Sequence, residues 1–333
     1  MKKNLLITFD YELFLGSNSG EINKCLIEPT NKVIELLRRY KMTGIFFIDS
    51  TYLTQLKSRE EKRAIEDYQI VKKQILTLVK EGHYCFPHIH SHWLDSKYDA
   101  NQNFWRLTNL DKYSFPDLNE EEREDVFSTS IDTLSQIIKE QYPDYSPEGF
   151  RAGGWCVQPF SSFKPYFLKY GVKYDFSVLC GQAYQSKAQR FDYTDTPVAF
   201  PYQFENEVTI EDRSGQFVEF PISTISVSKT HEFLNKIALK VLWKLGDRSY
   251  GKGRSADGGD AKLKHPNLKM ISIELMNRFN LSTYLKFSKA NKSIHFISHP
   301  KMLSQHNIRT FDVYLKSMNR KYEIETDFKK MEQ

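Results

Sequence analysis

Apolar residues fall along this chain in short runs that alternate with stretches carrying a helical stripe, which predicts strands and helices in turn. Residues 4–9 form one such run and predict a buried strand, ending at the acids Asp10 and Glu12 before a loop from Gly16 to Gly20. Over 29–41 the positions Val33, Leu36, Leu37 and Tyr40 keep a helical period, and Thr43-Gly44 leads into a second strand over 45–48. Ser58 and Glu61 read as a capping box for a helix striped by Ile65, Tyr68, Val71, Ile75, Leu78 and Val79, with Gly82 as its stop.

Residues 94–118 read as an aromatic, polar loop insertion, after which Asn119 and Glu122 cap a helix to about 142 that 143–149 breaks. A strand from Phe150, a helix over 159–170 stopped by Gly171, and a strand over 172–179 follow. Strands over 218–225 and 294–298, a helix over 307–319 and a strand over 322–326 complete the pattern. Residues 229–290 predict a mostly helical insertion, in which 247–266, rich in Gly, Lys and Asp, predicts a mobile loop. No internal repeat is present. This alternation favours a parallel sheet with helical crossovers, open or closed, and 333 residues fit one domain spanning 1–333.

Charge changes the picture little. The chain has 47 basic against 42 acidic residues, with no long block of one sign, so nucleic acid is not an expected partner. Asp10 and Glu12 interrupt the N-terminal apolar run before a signal-peptide core could form, and no stretch is long enough to span a bilayer; the expectation is a cytoplasmic protein. Cys25, Cys85, Cys156 and Cys180 are widely spaced, which argues against a zinc ribbon or a disulfide scaffold.

Candidate chemistry changes it more. Asp10 and Glu12, two apart on an extended segment, point to one face at a strand end. His88, His90 and His92 are three of nine histidines within five residues, and imidazole is the commonest protein ligand for zinc and similar metals. Two histidines with one carboxylate make a metal site with open positions, suited to hydrolysis. Arg151 precedes paired glycines that let backbone approach a ligand closely. His295, Ile297 and His299 share one face of a strand, with His299 at the C-terminal end where α/β barrels gather catalytic groups; His295 reads as structural.

In this order the motifs resemble the polysaccharide deacetylase family, also called the NodB-homology or carbohydrate esterase family 4 fold, over most of the chain. Thr8-Phe9-Asp10-Tyr11-Glu12 is similar to the Thr-Phe-Asp-Asp opening, Thr43-Gly-Ile-Phe-Phe47 to the strand after it, and His88-x-x-x-His92 to the metal-binding segment. Phe150-Arg151 and Ile297-Ser-His299 resemble the third and last motifs. The resemblance implies an α/β fold, a distorted (β/α) barrel of about seven parallel strands. It implies Asp10 as general base oriented by Arg151, His299 as general acid, and a divalent metal (zinc, with cobalt, nickel or iron as alternatives) on Glu12, His88 and His92. Trp155, Asp175 and His90 are the expected substrate-lining residues.

The implied activity is removal of an N-acetyl or similar acyl group from an amino sugar, such as a precursor of surface polysaccharide. The chain departs from the family in placing Glu12 one position late, in Ala152-Gly153 where Pro-Tyr is usual, and in lacking the fourth motif, an Asp and Trp pair. Some relatives with an Asp-x-Glu opening act on cyclic amides without metal, and a catalytically silent carbohydrate-binding protein is a third reading.

Overall fold

The opening apolar run forms β1 (Lys2–Tyr11) in a computed structural model that describes residues 2–255 and 262–331. Next come β2 (Ile45–Asp49), β3 (Tyr84–Ile89), the hairpin β4 (Lys97–Asp99) and β5 (Phe104–Arg106), β6 (Gly149–Ala152) and β7 (Tyr174–Asp175). The rest are β8 (Ala183–Gln185), β9 (Arg190–Asp192), β10 (Tyr202–Phe204), β11 (Phe217–Glu219), β12 (Thr224–Ser226), β13 (Lys262–Leu263), β14 (Leu268–Met270), β15 (Ser293–Ser298) and β16 (Glu323–Glu325). The helices are α1 (Glu28–Tyr40), α2 (Ser50–Lys57), α3 (Lys62–Lys80), α4 (Glu120–Lys139), α5 (Lys164–Tyr170), α6 (Lys229–Lys244), α7 (Leu281–Ala290) and α8 (Gln305–Asn319).

Seven strands run parallel in the order β11-β7-β6-β3-β2-β1-β15, β16 adds a short parallel pairing to the start of β1, and β10 lies antiparallel on β11. The fold is therefore α/β with a curled, mostly parallel sheet, as the motif order implied. Irregular segments carry the curl onward from β15: Ser223 N donates to His295 O (3.2 Å), Ile297 N to Ile271 O (3.1 Å) and Ile222 N to Val178 O (2.7 Å). The barrel is distorted because side chains and loops, not ladders, complete that arc.

Period-two alternation sorts the side chains. Leu6, Ile45, Phe47, Phe86, Tyr174, Phe176, Val218 and Phe220 pack together with Phe328 inside the curl. Leu5, Ile7, Phe9, Tyr11, Phe46 and Ile48 face α1, α3 and α8, while Phe150 and Phe217 face α4 and α5. Each face thus buries its own apolar layer, the main favourable contribution to folding.

Several expectations change in detail. Ser58 does not cap α3, which starts at Lys62 without a side-chain cap; Ser58 instead closes α2, a helix the pattern did not signal, whose N-cap is Asp49 accepting from Tyr52 N (3.0 Å). The box of Asn119 and Glu122 on α4 is present, and α5 ends at Gly171 with φ of 72°. The strand expected over 172–179 shortens to β7 because Phe176 O is taken by Arg151 Nε (2.9 Å) rather than by a ladder. Pro221 lacks the amide a ladder needs, so 218–225 divides into β11 and β12.

The 94–118 segment is not a peripheral loop: β4 and β5 bury Trp105 against Tyr52 and Trp93 (ring centroids 6.4 and 5.5 Å). Among the described residues the 229–290 insertion is helical only at its ends, where α6 and α7 lie; β13 and β14 between them pair with β8 and β12. Residues 247–255 are tied down by bridges from Ser249 to Ser304 and from Arg254 to Asn18, and the remainder of the expected mobile loop includes 256–261, outside the described residues.

Gly149 opens β6, and a Cβ there would lie 2.5 Å from the Phe86 ring inside the curl. Gly149→Ala is expected to lower unfolding free energy by about 1–3 kcal/mol through overpacking, read by denaturant melts. A midpoint equal to wild type would contradict this packing.

Candidate active site

Register brings the chemistry together. Asp49 pairs across the sheet with His88, and His88 with Arg151, so the C-terminal ends of β2, β3 and β6 present a row of polar side chains inside the curl. Asp10, on the interior face at the end of β1, joins them. Asp10 and His88 of this set, with Glu12, His90, Tyr113, Trp155, Glu274 and His299, surround a cavity of about 350 Å³. A larger depression of about 1210 Å³ crosses Tyr184, Phe191 and Lys264, but among the described residues the one group of three side chains placed to hold a metal is in the smaller cavity.

Arg151 lies under the floor of this cavity, fully buried. It donates from Nη1 to Asp10 Oδ1, from Nη2 to Thr8 Oγ1 (3.0 Å) and His295 Nε2 (3.2 Å), and from Nε to Phe176 O, while Phe47 stacks beneath it at 4.1 Å. His295 has a lowered pKa, because it is buried and beside that guanidinium; it stays neutral, with Nδ1 donating to Phe220 O (3.0 Å) and Nε2 free to accept. It is the structural residue the sequence suggested. Burial alone would raise the pKa of Asp10, but Arg151, then His88 and His299, hold it below the ordinary value.

Glu12 Oε2 lies 2.6 Å from His90 Nε2 and 3.3 Å from His88 Nε2, and the two nitrogens are 3.0 Å apart. The approach of His90 lacks hydrogen-bond geometry, which leaves Glu12 Oε2 buried without a donor. His88 Nδ1 donates to Arg151 O (2.8 Å), so its Nε2 presents a lone pair to the cluster. Tetrahedral ligands on 2.0–2.1 Å bonds stand about 3.3 Å apart, close to these separations. Glu12, His88 and His90 therefore fit a divalent cation, and among the described residues they are the group of this kind.

His90 thus takes the place expected for His92. The extended backbone continues through His90, so positions 88 and 90 share a face, and a 3-10 turn over Ser91–Asp95 then carries position 92 away. His92 stacks on Tyr113 (4.8 Å, 24°), neither of its nitrogens has a hydrogen-bond partner, and burial, then His90, keep its pKa well below the ordinary value. Gly153 is needed beside it, since a Cβ would lie 2.4 Å from Ile89 O and 2.8 Å from His90 Nδ1. The paired glycines admit the histidine loop and Tyr113, and Gly154 also lines the cavity.

Two further groups escaped the sequence reading. Lys301 Nζ donates to Glu12 Oε1 (2.8 Å) and Leu13 O (2.6 Å); burial would raise the pKa of Glu12, but Lys301 and the imidazoles of His90 and His88 hold it well below the carboxylate range. Glu274 Oε1 accepts from His299 Nδ1 (2.9 Å), and Ser298 Oγ donates to its Oε2. Burial would lower the pKa of His299, but Glu274, then Asp10 and Glu12, raise it; its Nε2 points at Asp10 Oδ2, 3.5 Å away. The only prior signal for Lys301 was its place two residues after His299, and Glu274 sits in the insertion with none. Asp49 accepts from Trp93 Nε1 (2.6 Å) behind His88, and burial pushes its pKa up to about 6.

Trp155 lines the cavity. Asp175 does not: it alternates onto the outer face of β7, fully buried, accepting from Ser177 Oγ (2.7 Å) and lying opposite Glu219 of β11. Burial, then the charge of Asp175, raise the pKa of Glu219 well above the carboxylate range, and its Oε1 accepts from Val178 N (3.2 Å).

No protein-family model matches the chain, and no curated protein matches it in sequence. Solved structures do. A Mycobacterium smegmatis protein provisionally called a polysaccharide deacetylase is similar over 98% of this chain and 88% of its own, at 12% identity and a TM-score of 0.49. Puue allantoinase is similar over 97% and 86%, at 9% identity and 0.47. A polysaccharide deacetylase from Bacillus cereus is similar over 98% and 92%, at 12% identity and 0.42. The chemistry of this chain rests on its own side chains.

Because Glu219 keeps its proton to a higher pH in the folded than in the unfolded chain, its contribution to stability is complete below about pH 4.3 and is lost as pH rises toward the folded value. Glu219→Gln does not titrate, so its melting temperature relative to wild type is expected to climb with pH above that point. A difference independent of pH would show that Glu219 is ionised in the fold.

Proposed function

We propose that this chain, read as one catalytic domain, is a metal-dependent hydrolase that removes an N-acetyl or similar acyl group from an amino sugar or a polysaccharide precursor. What carries the reading is the convergence, in one cavity at the ends of parallel strands, of a donor-less Glu12 Oε2 and two facing imidazole nitrogens beside an ionised Asp10 and a protonatable His299. A divalent cation held by Glu12, His88 and His90 supplies Lewis acidity to a water nucleophile and to the acyl carbonyl.

The chain's residues supply the proton transfers. Asp10, held ionised by Arg151, accepts a proton from water as the water adds to the carbonyl carbon. His299 Nε2 donates a proton to the departing nitrogen as the carbon–nitrogen bond breaks, releasing the acid and the free amine. Glu274 fixes the tautomer of His299 and stabilises its protonated form. Trp155 at the cavity edge offers an aromatic face to a sugar ring.

One observation favours a second reading, a metal-independent hydrolase of cyclic amides. Lys301 Nζ already neutralises Glu12 at 2.8 Å and brings a cation to the cavity without metal. Elemental analysis and chelation separate the two.

Protein purified without a histidine tag is expected to carry about one equivalent of a divalent transition metal. His88→Ala and His90→Ala are expected to lose it and His92→Ala to keep it. Metal-free wild type with activity resistant to chelation would favour the second reading, and metal loss in His92→Ala would restore the original ligand set.

Acetate release from N-acetylglucosamine oligosaccharides is the activity assay. Asp10→Asn is expected to lower kcat by about 10²–10⁴-fold. Glu274→Gln, a positioning change, should lower kcat by about 10–100-fold with KM little altered and shift the His299 limb of the pH profile. Wild-type rates in Asp10→Asn would remove Asp10 as the base.

A further inference from the structure

The outer face of α6 is unlike the rest of the surface. Phe233, Ile237 and Val241 repeat at four-residue spacing, are 63%, 45% and 46% exposed, and form one stripe, with Leu234 (59%) and Leu245 (78%) beside it. Single exposed apolar residues are ordinary; a contiguous stripe along about three helical turns is not. The inward side of the helix is small and mostly polar: Asn235 accepts from Asn277 (2.6 Å) and Asn280 (3.3 Å), Glu232 pairs with Lys269 (3.3 Å), and Ala238 is buried. The helix holds to the body by hydrogen bonds and turns its larger apolar side chains outward.

Charge decides what fits that stripe. Lys229, Lys236, Lys240 and Lys244 lie on the same helix, and between 233 and 246 the sequence has no acid. Its one acid, Glu232, is occupied by Lys236 and Lys269, both at 3.3 Å. A second copy of the chain would set lysine against lysine across a two-fold axis with nothing to pair them. An apolar stripe of Phe, Ile, Val and Leu side chains with a rim of lysines suits the headgroup region of an anionic bilayer, where apolar burial and electrostatic attraction add. The helix has 16 residues, and no helix of the described residues is long and apolar enough to cross a membrane, so α6 lies on such a surface.

The location links this face to the cavity. Past α6, Asp247 accepts from Ser304 Oγ (2.8 Å) and His306 N (3.1 Å), and Gly251 N donates to Lys301 O (3.0 Å), the residue that holds Glu12. A cleft beside Lys240 and Trp243 reaches Glu274 and Met302, which also line the catalytic cavity. We propose that α6 is a docking helix for the surface of an anionic lipid bilayer and brings the mouth of the cavity to that interface.

Co-sedimentation of the full chain with vesicles tests this. Phosphatidylglycerol–phosphatidylcholine vesicles are expected to bind it at low salt and release it at high salt, while phosphatidylcholine vesicles bind it weakly. The triple variant Lys236→Glu, Lys240→Glu, Lys244→Glu is expected to lose on the order of a hundredfold in partitioning. Phe233→Ser, Ile237→Ser and Val241→Ser together should abolish binding with an unchanged melt; the lysine variant decides if that one fails to fold. Absence of vesicle binding, equal binding to both compositions, or a wild-type dimer that the serine variant converts to monomer would overturn the proposal.

Discussion

The Arg151 guanidinium, removed from solvent beneath the cavity, is held by Asp10, Thr8, His295, the Phe176 carbonyl and the face of Phe47. A buried cation is tolerable only when its charge and donors are matched, and the partners come from β1, β2, β15 and the segment that follows β7. The pair it makes with Asp10 therefore ties β1 to β6 across the curl, and the Arg151 carbonyl sets the tautomer of His88 on the strand between. Without the Arg151 side chain Asp10 loses the largest of the charges that hold its pKa down, and Thr8 and His295 lose the donor that joins them to β6.

Above it the site is an arithmetic of backbone periods. Position 10 faces inward because β1 alternates, and His88 and His90 share a face for the same reason. A three-residue spacing to His92 suits a helix, but the chain stays extended through His90 before a 3-10 turn begins. The sequence carried the residue types; where the extended segment stops decides which two imidazoles meet. That boundary depends on packing of Trp93 against Asp49 and Tyr52, which no local pattern reveals.

Legibility followed range. β1, β2, α1, α4 and β15 were readable because apolar period, caps and glycine stops are local signals, and Asp10, Arg151 and His299 because they end or adjoin such strands. Glu274 and Lys301 were not, since each acquires its role only when a distant segment returns to the cavity. Asp175 misled for the opposite reason: a polar residue inside an apolar strand resembles a cavity residue until its face is known, and here it lies opposite Glu219 on the helix side. α6 falls within the insertion expected to be mostly helical, but that its apolar side chains turn outward depends on Asn277 and Asn280 holding its polar face.

The central claim is that Glu12, His88 and His90 converge on one divalent cation over the Arg151–Asp10 pair. Anomalous diffraction from crystals of the untagged protein, collected at the absorption edge of the metal found in it, tests this most directly. The account predicts a single peak within bonding distance of Glu12 Oε2, His88 Nε2 and His90 Nε2, with His92 still stacked on Tyr113. A peak bonded to His92 in place of His90, or Lys301 filling the cluster with no peak at all, would contradict it.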